Sequence, residues 1–395
     1  TRLFTGGYVE PSGAFNIDKN TLAPAAGRFV CPWLRSSISG YANGGNKFDL
    51  TRWDTAYFNR LKDFVTAAQK RGIIIELALF CPFYEELQWN LSPFNSINNV
   101  NNTDTLPRTD VYTLDKNGGL LAVQEKMVRK IVSELKDFDN VIYEICNEPY
   151  FGGVTIEWQH HIADIITDTE KGFTSRHLVS QNIANGTAFI QNPHPGVSIF
   201  NFHYAAPPYT VAQNYHLAKI IGDNETGFAG NSDSTYRREG WQFLLAGGAL
   251  YNNLDYSFTA GQEKGTFNYP PTQPGGGSAA LRKQLGRLKD FLYRFDFINM
   301  RPDSTVVINS HPGKPGQYAL IQPGKQYAIY FKENPGSDIE IKIPAGNYEI
   351  EWMDPVTGVS SKKKLLKHTG HKLKLTAPAY NEDIALRIAA AGEKR

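Results

Sequence analysis

Apolar runs and the polar breaks between them divide the chain into two patterns. Up to about residue 300, short β-branched runs alternate with longer stretches of helical periodicity. Past Arg301-Pro302-Asp303 the repeat changes to short period-two strands at regular spacing. In the first part, strands are predicted over 73–80, 141–146, 177–182, 197–204, 218–222 and 249–258, with 1–4 read as the end of another. Helices are predicted over 53–71, 120–138, 155–171, 234–246 and 281–297; the first carries Phe58, Leu61, Phe64 and Ala68 on one face and closes at Gly72. In the second part, strands are predicted over 318–321, 326–331, 339–343, 348–352, 372–375 and 384–388.

Strand, helix, strand in regular succession is the order of a parallel α/β sheet. The fold class expected is therefore α/β: a (β/α)8 TIM barrel over 1–300, followed by a small antiparallel β-sandwich over 301–395. Counting forward leaves seven barrel strands where a barrel has eight, so the first strand is expected to lie upstream of Thr1. In such a fold chemistry belongs at the carboxyl ends of the strands.

One run meets that condition directly. Residues 141–146 are apolar and β-rich, and they pass straight into Asn147-Glu148-Pro149. Pro149 removes a backbone donor and ends the strand, which fixes Glu148 at its carboxyl end with Asn147 beside it. Glu144, inside the run, has to be paired or to line a barrel interior. A second carboxylate stands at the end of the 218–222 run, in Asp223-Asn224-Glu225-Thr226-Gly227. Glu225 is the candidate there, and Asp223 is its rival, because residues two apart share a face of a strand.

Composition narrows the partner. Lys and Arg number 41 against 39 Asp and Glu, a net charge of +2, which gives no electrostatic reason to expect nucleic acid. No run of 18 apolar residues is present, so no membrane span is expected. Many of the 20 Tyr, 23 Phe and 6 Trp fall in turn-rich stretches, which suits stacking on sugar rings, although a large core is also rich in aromatics. Residues 8–52 are read as a long rim loop, with Trp33 and Arg35 as substrate candidates. Three cysteines are too few for a disulfide scaffold; Cys146 is read as a small buried apolar residue and a Cys31–Cys81 bridge is left open. His160 and His161 are adjacent on a helix and face different ways, so no metal site and no cofactor is expected. Thr1 opens the chain in place of Met and without a signal-peptide pattern; the start is expected to have been removed either by processing or in the design of the expressed sequence.

A strand ending in Asn147-Glu148-Pro149, with Glu225 ending a later strand, resembles the clan A retaining glycoside hydrolases, which include the cellulases and mannanases of family 5. The resemblance implies that Glu148 is the general acid/base, that Asn147 contacts the sugar 2-hydroxyl and that Glu225 is the nucleophile. It makes Arg2 the arginine that holds the nucleophile. It also implies a retaining mechanism, in which the two carboxyl groups stand about 5 to 5.5 Å apart. His203 corresponds to the histidine of the family's His-x-Tyr, but Ala205 occupies the tyrosine position, so Tyr204 or Tyr209 is expected to substitute. The eighth strand lacks the family's usual Trp; Tyr251 or Tyr256 is expected to supply the platform, with Asn253 and Asp255 as polar contacts and Glu263 as a weaker acid. The implied substrate is a β-linked oligo- or polysaccharide of plant or microbial origin, and the implied setting is a secreted or periplasmic bacterial protein. Two other classes stay open at this point: a barrel that binds carbohydrate without turnover, and a metal-dependent barrel hydrolase, for which His203 shows no evident partner in the sequence.

Overall fold

A computed structural model of the chain describes residues 1–308, 317–332 and 338–392. It divides into two compact units, 1–184 with 190–201, and 185–189 with 202–395.

The first unit opens with β1 (Arg2–Phe4). Next comes an antiparallel hairpin, β2 (Trp33–Ser39) and β3 (Asn46–Trp53), where the sequence suggested only loop. Helix α1 (Thr55–Gln69) begins at Asp54, whose carboxylate accepts the amides of Ala56 and Tyr57 and so satisfies two of the free N–H groups of the first turn. Strand β4 (Ile75–Phe80) is buried at every position. After α2 (Glu86–Leu91) and α3 (Leu120–Glu134), β5 (Val141–Cys146) is again buried throughout. Apolar runs covered on both faces are what a parallel sheet requires. The pairings agree: β4 takes β1 on one side and β5 on the other, both in parallel, with Leu3 opposite Leu77 and Leu77 opposite Tyr143. Helix α4 (Ile156–Thr169), capped by the Thr155 hydroxyl on the Trp158 amide, leads to β6 (Leu178–Asn185), which pairs β5 in parallel. Glu76 interrupts β4 as Glu144 interrupts β5, and it accepts hydrogen bonds from Ser180 Oγ (2.8 Å) and Asn201 Nδ2 (2.6 Å).

The succession continues with β7 (Ile199–His203), α5 (Tyr209–Asn214), β8 (Ile220–Thr226), α6 (Asp233–Leu245), β9 (Leu250–Asn253) and α7 (Ala279–Leu292). Strand β8 reaches four residues past the predicted end at Gly222, so Asp223 and Glu225 lie within it. It pairs β9 in parallel, with a register irregularity between Asp223 and Thr226. The sheet has seven described strands in the order β1-β4-β5-β6-β7-β8-β9, alternating with helices in a TIM-barrel-like (β/α) fold.

The remainder of the second unit is antiparallel. Strands β10 (Arg301–Pro302), β11 (Gln317–Gln322), β12 (Gln326–Phe331), β13 (Asp338–Lys342), β14 (Gly346–Met353), β15 (Lys364–His368), β16 (Lys372–Thr376) and β17 (Ile384–Ala390) form a six-stranded sheet, β10-β11-β12-β17-β14-β15, and a two-stranded one, β13-β16. Ile329, Ile350 and Leu386 of the larger sheet meet Ile339, Ile341 and Leu373 of the smaller in one core, which makes this a β-sandwich. Trp352 belongs to that core, with its ring 6.2 Å from Phe331. On the other face, Ala328, Tyr330 and Ala385 pack against Trp241 of α6 and Leu288 and Phe291 of α7. The exposed lysines at 362–364 run into β15, an outer strand that the sequence did not suggest.

Candidate active site

At the carboxyl end of β5 the backbone turns sharply. Glu148 has φ 38°, in the left-handed region that a glutamate seldom occupies, and its amide reaches Asn182 Oδ1 at 3.3 Å. Such a conformation persists only where the surroundings over-determine it, and it concentrates at functional sites. The chain leaves through Gly152 and Gly153, both with positive φ; a Cβ on Gly153 would stand 2.4 Å from the Thr109 carbonyl oxygen.

The Glu148 carboxylate is buried and held by phenols. Tyr84 donates to Oε2 at 2.5 Å and Tyr150 to Oε1 at 3.4 Å. Burial, and then the neighbouring thiol and carboxylate of Cys81 and Glu148, push the Tyr84 phenol well above its ordinary range, so it stays a donor at any working pH. Asn147 donates to the Tyr84 hydroxyl at 3.0 Å, and its Oδ1 takes Arg2 Nη2 at 2.5 Å. Around Tyr84 lie Phe15, Phe151 and Tyr8, at ring separations of 5.5, 5.7 and 6.1 Å.

Arg2 clamps Glu144, with Nη2 on Oε1 at 2.6 Å and Nε on Oε2 at 3.2 Å. Glu144 is thus paired inside, as a buried carboxylate must be. The same guanidinium orients Asn147. Arg2→Met leaves the Glu144 charge without its clamp and is expected to cost about 3 to 5 kcal/mol, read as a lowered urea midpoint at pH 7. Arg2→Met combined with Glu144→Met is expected to recover most of that loss, because both charges are then gone.

The second unit carries the other carboxylate. Tyr204, just past the end of β7, also has positive φ (56°), and its amide bonds the Glu225 carbonyl at 2.9 Å. Its hydroxyl donates to Glu225 Oε1 at 2.7 Å. His203 is fully buried, with Nδ1 3.7 Å from the same oxygen. The histidine therefore has the carboxylate neighbour that the sequence did not reveal. Tyr209 instead opens α5 and is 53% exposed. Asp223 is buried with its carboxyl turned to the Ala205 amide at 3.3 Å, and burial followed by the charge of Glu239 raises its pKa well above the carboxylate range. The two rivals on β8 thus differ: Glu225 carries a hydroxyl donor, and Asp223 braces backbone.

Several other candidates have structural partners. Trp33 is buried against Phe94 and Trp53, at 5.1 and 6.4 Å. Arg35 bonds the carbonyls of Asn46 (2.6 Å) and Phe29 (3.0 Å) beneath the rings of Tyr41 and Phe48, and so ties the hairpin together. Tyr251 points toward α6, its hydroxyl on the Tyr236 carbonyl at 2.8 Å. Asn253 Nδ2 reaches the Thr226 carbonyl at 3.4 Å, and Asp255 pairs with Arg282 at 2.6 Å. Glu263 is exposed and accepts the Gly261 amide at 2.8 Å. Tyr256 also has ring neighbours: it lies 6.4 Å from Tyr269 and 6.5 Å from Phe228, which stands 5.8 Å from Tyr204, so an aromatic row leads to the tyrosine on Glu225. Phe228, 44% exposed, was missed by the sequence reading, and so was Tyr84, although it belongs to the aromatic stretch that follows β4. All three cysteines are buried and free.

Comparison with known proteins adds the lineage. The family model for cellulase (glycosyl hydrolase family 5) matches residues 28–231, more than half of the chain. No curated protein matches the chain in a sequence comparison. Among solved structures, a protein from Bacteroides vulgatus ATCC 8482 described as a glycoside hydrolase is similar over 99% of this chain and 72% of its own, with a TM-score of 0.68 at 13% identity. A glycoside hydrolase family 5 protein from the same organism is similar over 85% of this chain and 75% of its own, with a TM-score of 0.57 at 15% identity. At such identities the likeness is one of fold. The family model spans both Asn147-Glu148-Pro149 and Asn224-Glu225-Thr226, and by that match the chain belongs to glycosyl hydrolase family 5, the cellulase family.

Proposed function

We propose that the chain is a retaining β-glycosidase working by double displacement, with Glu225 as nucleophile and Glu148 as general acid/base. Membership of a glycoside hydrolase family makes carbohydrate the substrate. The observation that carries the finer reading is the matched pair of strand ends: each carboxylate is buried, closes a parallel strand and takes a tyrosine hydroxyl, Tyr84 on Glu148 and Tyr204 on Glu225.

In the first step Glu225 attacks the anomeric carbon while Glu148 gives its proton to the departing glycosidic oxygen, and the C–O bond to the leaving group breaks. In the second, Glu148 takes a proton from water, the water oxygen bonds to the anomeric carbon, and Glu225 departs. The Tyr204 hydroxyl orients the nucleophile. Arg2 acts through Asn147, which it holds together with Tyr84, and Asn147 is the residue given the contact to the sugar 2-hydroxyl, as the family pattern implies. Tyr204→Phe is expected to lower kcat/KM roughly 10- to 100-fold, the scale of one hydrogen bond to a charged group, with little change in thermal midpoint.

Catalysis is assigned to a domain over 1–300, which the sandwich over 301–395 follows. Among the described residues no helix is long and apolar enough to cross a membrane. Independently of that, a secreted or periplasmic setting belongs to the proposal because polysaccharide substrates lie outside the cytoplasm. The test is a 2-deoxy-2-fluoro-β-glycoside with an activated leaving group. Fluorine at C2 slows both steps by destabilising their oxocarbenium-like transition states, and the good leaving group rescues only the first. Peptide mapping by mass spectrometry should find the sugar on Glu225. Label on another residue, or inactivation without label, would refute the assignment.

A further inference from the structure

The β8 carboxyl group that the mechanism does not use is Asp223. It is 1% exposed, and its Oδ1 meets no hydrogen-bond partner among the described residues. Its Oδ2 accepts the amide of Ala205, which follows Tyr204, at 3.3 Å. Those two residues make the turn that leaves β7. Tyr204 is held there at φ 56°, its amide on the Glu225 carbonyl and its own carbonyl on the Ala206 amide, each at 2.9 Å. A bulky residue in the left-handed region needs surroundings that over-determine it, and Asp223 is the buried side chain braced against this turn.

We propose that Asp223 is a positioning residue for the glycosidase reaction: its carboxyl fixes the Tyr204 turn and, through it, keeps the Tyr204 hydroxyl on the Glu225 carboxylate. The inference rests on the role given to Glu225 above. Burial in company with Glu239 on α6 and Glu225 on its own strand favours the uncharged acid, with Oδ2 acting as the acceptor. Asparagine reproduces that acceptor, whereas leucine and alanine do not.

The experiment measures kcat and KM on an aryl β-glycoside for Asp223→Asn, Asp223→Leu and Asp223→Ala, each alone and together with Tyr204→Phe, and determines the crystal structure of Asp223→Ala. Asp223→Leu and Asp223→Ala should lower kcat about tenfold or more with little change in KM, and Asp223→Asn should stay within about threefold of the parent. In the Tyr204→Phe background the same substitutions should change kcat by less than about twofold, because the hydroxyl they position is absent. Equal losses in both backgrounds, or a loss in Asp223→Asn as large as in Asp223→Leu, would overturn the proposal. The crystal structure decides independently of turnover. A Tyr204 hydroxyl displaced from Glu225 supports the inference; one still at 2.7 Å refutes it. A parent protein that turns over no glycoside removes the role of Glu225 instead, and leaves that structural comparison to decide on Asp223.

Discussion

Glu225→Ala should lower turnover of aryl β-glycosides by about 10⁴-fold or more, since no covalent intermediate forms without the attacking carboxylate. The same substitution leaves room beside the Tyr204 hydroxyl, which bonds Glu225 Oε1 in the parent. Azide, a small anion, fits the space of the lost carboxylate and attacks the anomeric carbon from the same face, so added azide should restore turnover and yield the α-glycosyl azide. Recovery of the β-glycosyl azide from this variant would exchange the two glutamate roles. Asp223→Asn, two residues earlier on the same strand, should show neither the loss nor the rescue.

Glu148→Ala should behave differently from one leaving group to another. With an unactivated sugar leaving group, removal of the proton donor is expected to cost roughly 10² to 10⁴-fold. With a dinitrophenyl leaving group the first step needs no proton, so the glycosyl-enzyme forms and accumulates while hydrolysis lacks its base. Azide then attacks the intermediate from the face that water uses, and the product should be the β-glycosyl azide. A Glu148→Ala enzyme slowed equally on both kinds of substrate would contradict the acid/base assignment. Stopped-flow release of the phenol, with a burst in the variant, separates the two steps.

What was legible in the sequence followed from local rules. An apolar run ended by proline located Glu148 at a strand end, and the strand–helix alternation gave the TIM-barrel-like order that the sheet shows. The sandwich was legible because its strands alternate with period two. What was hidden depends on residues distant in sequence. The β2–β3 hairpin has irregular register and is held by Arg35 on backbone carbonyls, so it carries no clean alternation. Trp33 looked like a cleft residue because it sits among turn residues, yet it is buried by Phe94, about 60 positions away. Tyr251 looked like a platform, but alternation along β9 turns it toward α6. The tyrosine on Glu225 comes one place earlier than the His-x-Tyr spacing: with φ positive at Tyr204, the turn begins at that residue and brings its hydroxyl to Glu225.

The most direct test of the account is the stereochemistry of the first product, followed by proton NMR of the anomeric signal during hydrolysis of the best aryl β-glycoside. Retention by double displacement requires the β-anomer to appear first, with the α-anomer growing in later by mutarotation. If the α-anomer appears first, a single displacement has occurred, and Glu225 cannot be a covalent nucleophile.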